Sequence, residues 1–262
     1  MNNMKISIIT ASRNSAVTIR DTLESVRRQD YPHVEHIIID GLSTDETMRI
    51  VHEYPHVARG VSEPDNSLYE ALNKGILHAT GDIVGILHSD DVYVDETVLS
   101  RVADAFNQTD CDTVYGDLFY VTKANPEKII RHWRAGTYKP NAFKWGWTPP
   151  HPTLFVRRNL YERYGGFDPQ FGTAGDYELM LRFIHGHHIK LAYIPSVLVK
   201  MRTGGLSNQT WMNRFRANAQ DRRAWTANHL QPFWFTRYLK PLRKITQFIG
   251  FRKYSDTFSS AC

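Results

Sequence analysis

Apolar and polar positions fall in alternating blocks along the first 120 residues. "KISIITASRN" (5–14) is apolar through most of its length and then turns polar, as a buried strand followed by a loop does. Residues 17–29, "VTIRDTLESVRRQ", place Val17, Leu23 and Val26 at roughly helical spacing. "VEHIIIDG" reads as a second, β-branched strand. "LSTDETMRIVHEY" follows as a helix, with Ser43 and Glu46 spaced as a capping box. "ARGVSEPD" is a short or edge strand, "SLYEALNKGILHA" a helix, "DIVGILHSDD" a strand, "DETVLSRVADAFNQ" a helix and "DTVYGDLFYV" a strand. This alternation predicts an α/β fold with a Rossmann-like, mostly parallel, doubly wound sheet. Ligands bind such sheets beyond the carboxyl ends of the strands. Polar clusters follow three of the apolar runs: Thr10 to Asn14, Asp40 to Asp45, and Ser89 to Asp91.

From about residue 131 to 175 the pattern becomes irregular and rich in Trp, Pro and Gly. "GDYELMLRFIHGH" reads as a helix starting at Asp176, "IKLAYIPSVLVKMR" as strands, and "TGGLSNQ" as a flexible loop before a basic helical tail. The expected organisation is one domain over 1–210, with a first half to 120 and a second from 121, and a helical C-terminal extension over 211–262. At 262 residues the chain is long enough for a sizeable core, and 42% hydrophobic with 23% charged residues is ordinary for a globular protein.

The two cysteines, Cys111 and Cys262, form neither a disulfide framework nor a zinc pattern, which fits a reducing compartment. The N-terminus has no signal-peptide pattern, and no run of about 18 apolar residues predicts a membrane span. Charge changes the picture of the tail. Residues 211–254 hold ten Lys/Arg against one acid, Asp221, leaving the body mildly acidic. Trp234, Tyr238, Leu242, Ile245 and Ile249 recur at helical spacing, interrupted by Pro241, with Arg237, Lys240, Arg243 and Lys244 mostly elsewhere on the wheel. Residues 230–254 therefore suit an anionic membrane surface, or a helix packed on its own domain, better than a nucleic-acid site.

Candidate chemistry gathers at the polar clusters. Asp90 and Asp91 repel one another unless a hard cation such as Mn2+ or Mg2+ lies between them and a diphosphate; capping needs only one of them. Asp40 can accept from a nucleobase or ribose, or serve a turn. Asp176 can cap the helix it begins or act as a general base. His151, in "WTPPHPTLF", is structural or lines a shaped pocket. His185, His187 and His188 read as an exposed loop. In "MRTGGLS", Arg202 can grip phosphate oxygens beside paired glycines, or the segment is a mobile connector.

Seven segments in this order resemble inverting family-two glycosyltransferases of the GT-A fold: "ISIITASRN", "IIIDGLSTDET", "EPDNSLYEALNKGI", "GDIVGILHSDD", "HPTLFVRR", "GGFDPQFGTAGDYELMLR" and "MRTGGLS". "EPDNSLYEALNKGI" is similar to the branch that builds bacterial surface polysaccharides. The resemblance implies a nucleotide pocket of Thr10, Ala11, Arg13 and Asp40, with Asn73 and Lys74 nearby. It implies Asp90 toward the ribose beside Ser89, Asp91 as the metal ligand, Asp176 as catalytic base, and His151 near the donor diphosphate or the acceptor.

The chain departs from the family pattern twice. The metal motif is Ser-Asp-Asp, and Gly175 stands where many relatives carry an acid. The implied reaction moves a sugar, UDP-linked as first expectation, to an acceptor hydroxyl. A lipid-diphosphate-linked sugar in O-antigen, capsule or exopolysaccharide assembly is the implied acceptor, with the protein peripheral on the inner face of the cytoplasmic membrane. A sugar nucleotidyltransferase would need a Gly-rich loop after the first strand, and "TASRNSAVT" has no glycine. A dinucleotide oxidoreductase would need G-x-G-x-x-G, which does not occur. A non-catalytic, membrane-associated sugar-nucleotide-binding partner stays open at this point.

Overall fold

Strand β1 (Ile6–Ser12) is buried at every residue, as the interior strand of a parallel sheet must be. In the computed structural model, which describes residues 4–204, 220–236 and 239, β1 pairs in parallel with β2 (Val34–Asp40) on one side and β4 (Ile83–Ile86) on the other. β3 (Val57–Ser62) extends the parallel run beyond β2. The connecting helices are α1 (Ile19–Arg27), α2 (Thr47–His52) and α3 (Leu68–His78). Beyond β4 the sheet becomes mixed. β5 (Val92–Tyr93), helix α4 (Val98–Gln108), β6 (Thr113–Val121), β7 (Ile129–Trp133) and β8 (Phe155–Arg157) follow in the chain. Then come α5 (Asn159–Tyr164), α6 (Gly175–Met180) and β9 (Leu191–Arg202). The strand order is β3-β2-β1-β4-β8-β6-β9-β5, with β7 on β6. β8 runs antiparallel to both β4 and β6 and joins the two halves of the chain into one sheet.

Successive β1 side chains serve opposite layers. Ile6 and Ile8 pack with α4 residues such as Val98, Leu99 and Val102, whereas Ile9 and Ala11 pack with Tyr69, Ala71 and Leu72 of α3. Gly75 allows α3 to lie this close, since a Cβ there would sit 2.3 Å from Ile9 Cγ2.

Several expectations are corrected. α1 starts at Ile19 and buries Ile19, Thr22, Leu23 and Val26, leaving Val17 91% exposed; the helical phase set by Leu23 and Val26 picks out Ile19 instead. The capping box before α2 does not form, because Ser43 turns back to Asp40 and the helix begins only at Thr47. The strand at "DIVGILHSDD" ends at Ile86, and Asp91 N–H closes a turn on His88. "IKLAYIPSVLVKMR" is one strand, with Pro195 and Ser196 bulged out of register against β6. His185 is buried, stacked on Phe143 and edge-on to Trp225, while His187 and His188 are exposed.

In the C-terminal extension, residues 220–227 are helical, and Trp225 is buried with its indole N–H donated to Tyr177 Oη at 2.9 Å. Trp234 is 81% exposed. Most of the loop at "TGGLSNQ" and of the amphipathic tail, including Tyr238, Leu242, Ile245 and Ile249, lies outside the described residues.

Candidate active site at the carboxyl ends of the strands

The ends of β1, β2 and β4 converge, but their polar groups differ in what they are free to do. Thr10 is fully buried; its hydroxyl donates to Leu87 O at 2.7 Å and meets His36 Nε2 at 3.1 Å. Ala11 is buried beside it. Asp40 is also fully buried, and the protein itself fills its carboxylate. Oδ1 accepts from Ser12 Oγ (2.9 Å) and Ser43 Oγ (2.5 Å), and Oδ2 from Ser43 N–H and Ser62 Oγ (both 2.8 Å). Four donors leave Asp40 as the anchor of the loop that shapes the pocket.

The open acid at this end is Asp65, which sequence reasoning passed over. Its Oδ1 meets Lys74 Nζ at 2.6 Å, and its Oδ2 is buried without a hydrogen-bond partner among the described residues. Oδ2 lies, with exposed Arg13, at the edge of Gly41. Lys74 also pairs with Glu63 at 2.9 Å, and its hydrogen bonds to Asp65 and Glu63 hold its ammonium above the usual lysine range. Asn73 faces elsewhere. Its amide exchanges two 2.8 Å hydrogen bonds with the Phe167 backbone and ties α3 to the chain before α6.

At the end of β4, Ser89 Oγ meets Ser15 Oγ at 2.9 Å. Asp90 is half-buried and Asp91 is 1% exposed. Asp91 Oδ1 accepts Arg202 N–H at 3.2 Å, while its Oδ2 has no partner among the described residues. Burial, then the adjacent Asp90, pushes Asp91's carboxyl well above the usual carboxylate range; burial raises Asp90 as well. Two neighbouring carboxyls that resist ionisation, one with an orphaned buried oxygen, fit a hard divalent cation. Among the described residues no group of three or more His, Cys, Asp or Glu gathers to hold a metal. Oxygens of a bound ligand would therefore complete the shell. Arg202, expected to grip phosphate, is buried; its guanidinium donates to Asp90 O at 2.8 Å and pairs with Asp21. It braces the aspartate turn, as does Thr22, which donates to Asp91 O at 2.8 Å.

Asp176 stands near the start of α6 but caps nothing; Ala174 is the N-cap and no side chain bonds there. Instead Asp176 Oδ2 meets His151 Nδ1 at 3.1 Å, and Oδ1 accepts from Tyr69 Oη at 3.3 Å. Tyr69 Oη also accepts Asp176 N–H at 3.2 Å, so one phenol holds both ends of the residue. Gly175 makes room for that ring, since a Cβ there would fall 2.7 Å from Tyr69 Cε2, and Tyr69 is itself stacked on Phe167. The missing acid at 175 and the tyrosine at 69 are thus one arrangement. His88 packs edge-on against His151 with ring centroids 5.5 Å apart, and burial lowers its pKa to about 4, keeping it neutral.

Tyr120 on β6 is buried, which raises its phenol, while Arg131, 3.7 Å from the ring centroid, opposes that shift. Tyr69 and Tyr120 carried no sequence sign beyond aromatic character; a glycine directly before a candidate base was the one available hint.

The sequence model of glycosyl transferase family 2 matches residues 7–165, more than half the chain and all the polar clusters that follow β1, β2 and β4. The chain belongs to glycosyl transferase family 2. Similar family members include an uncharacterised glycosyltransferase of Mycobacterium tuberculosis, 31% identical over 194 residues and covering 68% of each chain. A PGL/p-HBAD biosynthesis glycosyltransferase of Mycobacterium bovis is 27% identical over 208 residues, 77% of this chain and 78% of that one. Among solved structures, S. aureus TarS 1–349 in complex with UDP-GlcNAc superposes with a TM-score of 0.64 at 16% identity, covering 90% of this chain and 69% of that one. The mannosyltransferase PcManGT of Pyrobaculum calidifontis, in complex with GDP-Man and Mn2+, gives 0.64 at 20% identity over 90% of this chain and 68% of that one. This chain spans 39% of the longer TarS chain. The fold is GT-A, and the protein is a family 2 glycosyltransferase.

Proposed function

We propose that this glycosyltransferase moves a sugar from a nucleotide-sugar, UDP-linked, to an acceptor hydroxyl by single displacement with inversion. The observation that carries the proposal is the pairing of two features: Asp176, held by Tyr69 and His151 in a cavity that His88 of the β4 end also lines, and the unpartnered Oδ2 of Asp91 three residues beyond His88. Asp176 receives the proton of the acceptor hydroxyl as that oxygen attacks the anomeric carbon, and the nucleoside diphosphate leaves on the opposite face. Tyr69 and His151 keep both carboxylate oxygens aimed while leaving lone pairs free. Neutral His88 backs His151. Asp91, with Asp90 beside it, would hold Mn2+ or Mg2+, whose charge would offset the negative charge growing on the leaving diphosphate. Arg202 holds the turn that presents the pair. Arg13, Asp65 and Lys74 line the nucleotide end, with Asp40 fixing its loop. The structures of TarS with UDP-GlcNAc and of PcManGT with GDP-Man and Mn2+ support a nucleotide-sugar and a divalent ion.

For the acceptor, we favour a lipid-linked sugar at a membrane face. Trp145, Phe233 and Trp234 are exposed, Phe233 and Trp234 both pack on Phe235, and Lys144 lies over Phe233 at 5.5 Å. Aromatic rings beside basic groups suit a bilayer interface. No helix among the described residues is long and apolar enough to cross a membrane. Two experiments test the proposal. Incubation with UDP-sugars, Mn2+ and a lipid-linked acceptor should release UDP and give a product of inverted anomeric configuration by NMR; a retained configuration overturns single displacement. Deleting residues 230–262 should weaken sedimentation with anionic liposomes, and unchanged sedimentation removes the membrane assignment.

A further inference from the structure

The cleft at Asp176 has an interior unlike its rim. A cavity of about 90 Å³ opens beside the carboxylate, between α3 and α6. Its polar lining is confined to Asp176, His151, His88, Thr173 and the phenol groups of Tyr69 and Tyr161. The remainder includes Leu72, Leu154, Phe167, Leu179 and Met180. Leu72 and Leu179 are only 1% and 2% exposed, so the cavity reaches into the core. Tyr69 already uses its hydroxyl on Asp176.

The volume is enough for several waters, since one water needs only about 10–15 Å³ of such space. Water against the leucines would lack polar partners there, and an apolar group that displaces it gains affinity. A sugar hydroxyl pushed against the leucines would give up its hydrogen bonds to solvent without replacement. A methyl or acetyl group matches that lining; the hydroxyls of a pyranose ring do not. Ile86 and His88 also line the cavity, and His88 is two residues before Asp90. The cavity therefore adjoins both the chain leading to the proposed diphosphate site and the proposed base, where the transferred sugar would sit.

We propose that this cavity is a subsite for a methyl group on the transferred sugar, carried either at C6 of a 6-deoxy sugar or on an acetamido group. The assignment to the transferred sugar rests on the donor reading given above. Saturation-transfer NMR on the full chain with free 6-deoxyglucose, N-acetylglucosamine and glucose tests it, because these probes need no nucleotide. One of the two methyl-bearing sugars should bind at least about 10-fold tighter than glucose, with its methyl protons most strongly saturated. The preferred sugar distinguishes the C6 methyl from the acetamido methyl.

Leu154→Phe should fill the cavity and abolish the preference. Leu68→Trp, at the exposed start of α3 and on the cavity lining, should do the same without touching the core. Equal binding of all three sugars, absence of methyl saturation, or a preference that survives both variants overturns the subsite. A parallel UDP titration separates the two readings. A methyl preference without UDP binding upholds the cavity and defeats the UDP donor, whereas UDP binding without a methyl preference defeats the cavity alone.

Discussion

Asp40 at the end of β2 and Asp91 after β4 are equally buried, at 0% and 1% exposure, yet they are opposite kinds of group. Asp40 accepts four hydrogen bonds from three serines. Asp91 accepts one on Oδ1, has none on Oδ2, and has another carboxylate as its neighbour. Burial alone does not mark a ligand site. What marks it is acceptor capacity that the fold has left unfilled where filling it would have been easy. Asp176 is a third case, gripped by a phenol and an imidazole but still 27% exposed at its side chain, as the proposed base would have to be.

Asp176→Asn gives the largest expected effect. Turnover should fall by roughly 10²- to 10⁴-fold while calorimetric affinity for the nucleotide stays within error; near-normal turnover would take the base role from Asp176. The buried pair comes next and contrasts in sign. Asp40→Asn turns an amide toward serine donors and should lower stability by roughly 2–4 kcal/mol in urea denaturation. Asp91→Asn removes a buried charge facing a like charge, so stability should hold or rise by about 1 kcal/mol, while Mn2+-dependent donor binding disappears. Equal destabilisation by the two substitutions would erase the distinction between them.

Tyr69→Phe keeps the ring but loses the phenol, and should reduce kcat about 10-fold with donor affinity intact. A change confined to KM would argue against a positioning role. The smallest effect lies in the scaffold behind Thr10. Burial, then the nearby His56, lowers the pKa of His36 to about 3, far below the ordinary value of about 6.5 that the unfolded chain retains. His36 therefore favours the fold fully above pH 6.5. That contribution drains away on acidification toward pH 3, by up to about 1.4 kcal/mol per pH unit. His36→Asn should flatten the slope of stability between pH 7 and 5, and an unaltered slope would exclude His36 as its source.

The parallel half of the fold was legible because β1, β2 and β4 are apolar on both faces and each ends in a polar cluster. The second half was not, because β8 is three residues long and β9 carries a proline bulge, so neither shows a clean period. For the proposed site, residue type and position after a strand singled out Asp90 and Asp91, whereas Asp176, at a helix start, stood out through the family resemblance. They could not tell a filled carboxylate from an open one, since Asp40's partners Ser12, Ser43 and Ser62 come from three separate loops and strands. Arg202 misled for the same reason: a guanidinium suits a phosphate and a backbone carbonyl alike, and only the end of β9 decides between them. Asp65 and Tyr69 lay within a quoted segment but became distinguishable only by what surrounds them.

The contact between Gly175 and Tyr69 has a historical consequence. A side chain at 175 and a ring at 69 compete for the same space, 2.7 Å apart at nearest approach. A residue larger than glycine at 175 would force the ring at 69 to shift, and with it the phenol that holds Asp176. The two positions should therefore be inherited as a pair, and transplanting one of them alone between relatives should yield a less fit protein than either parent.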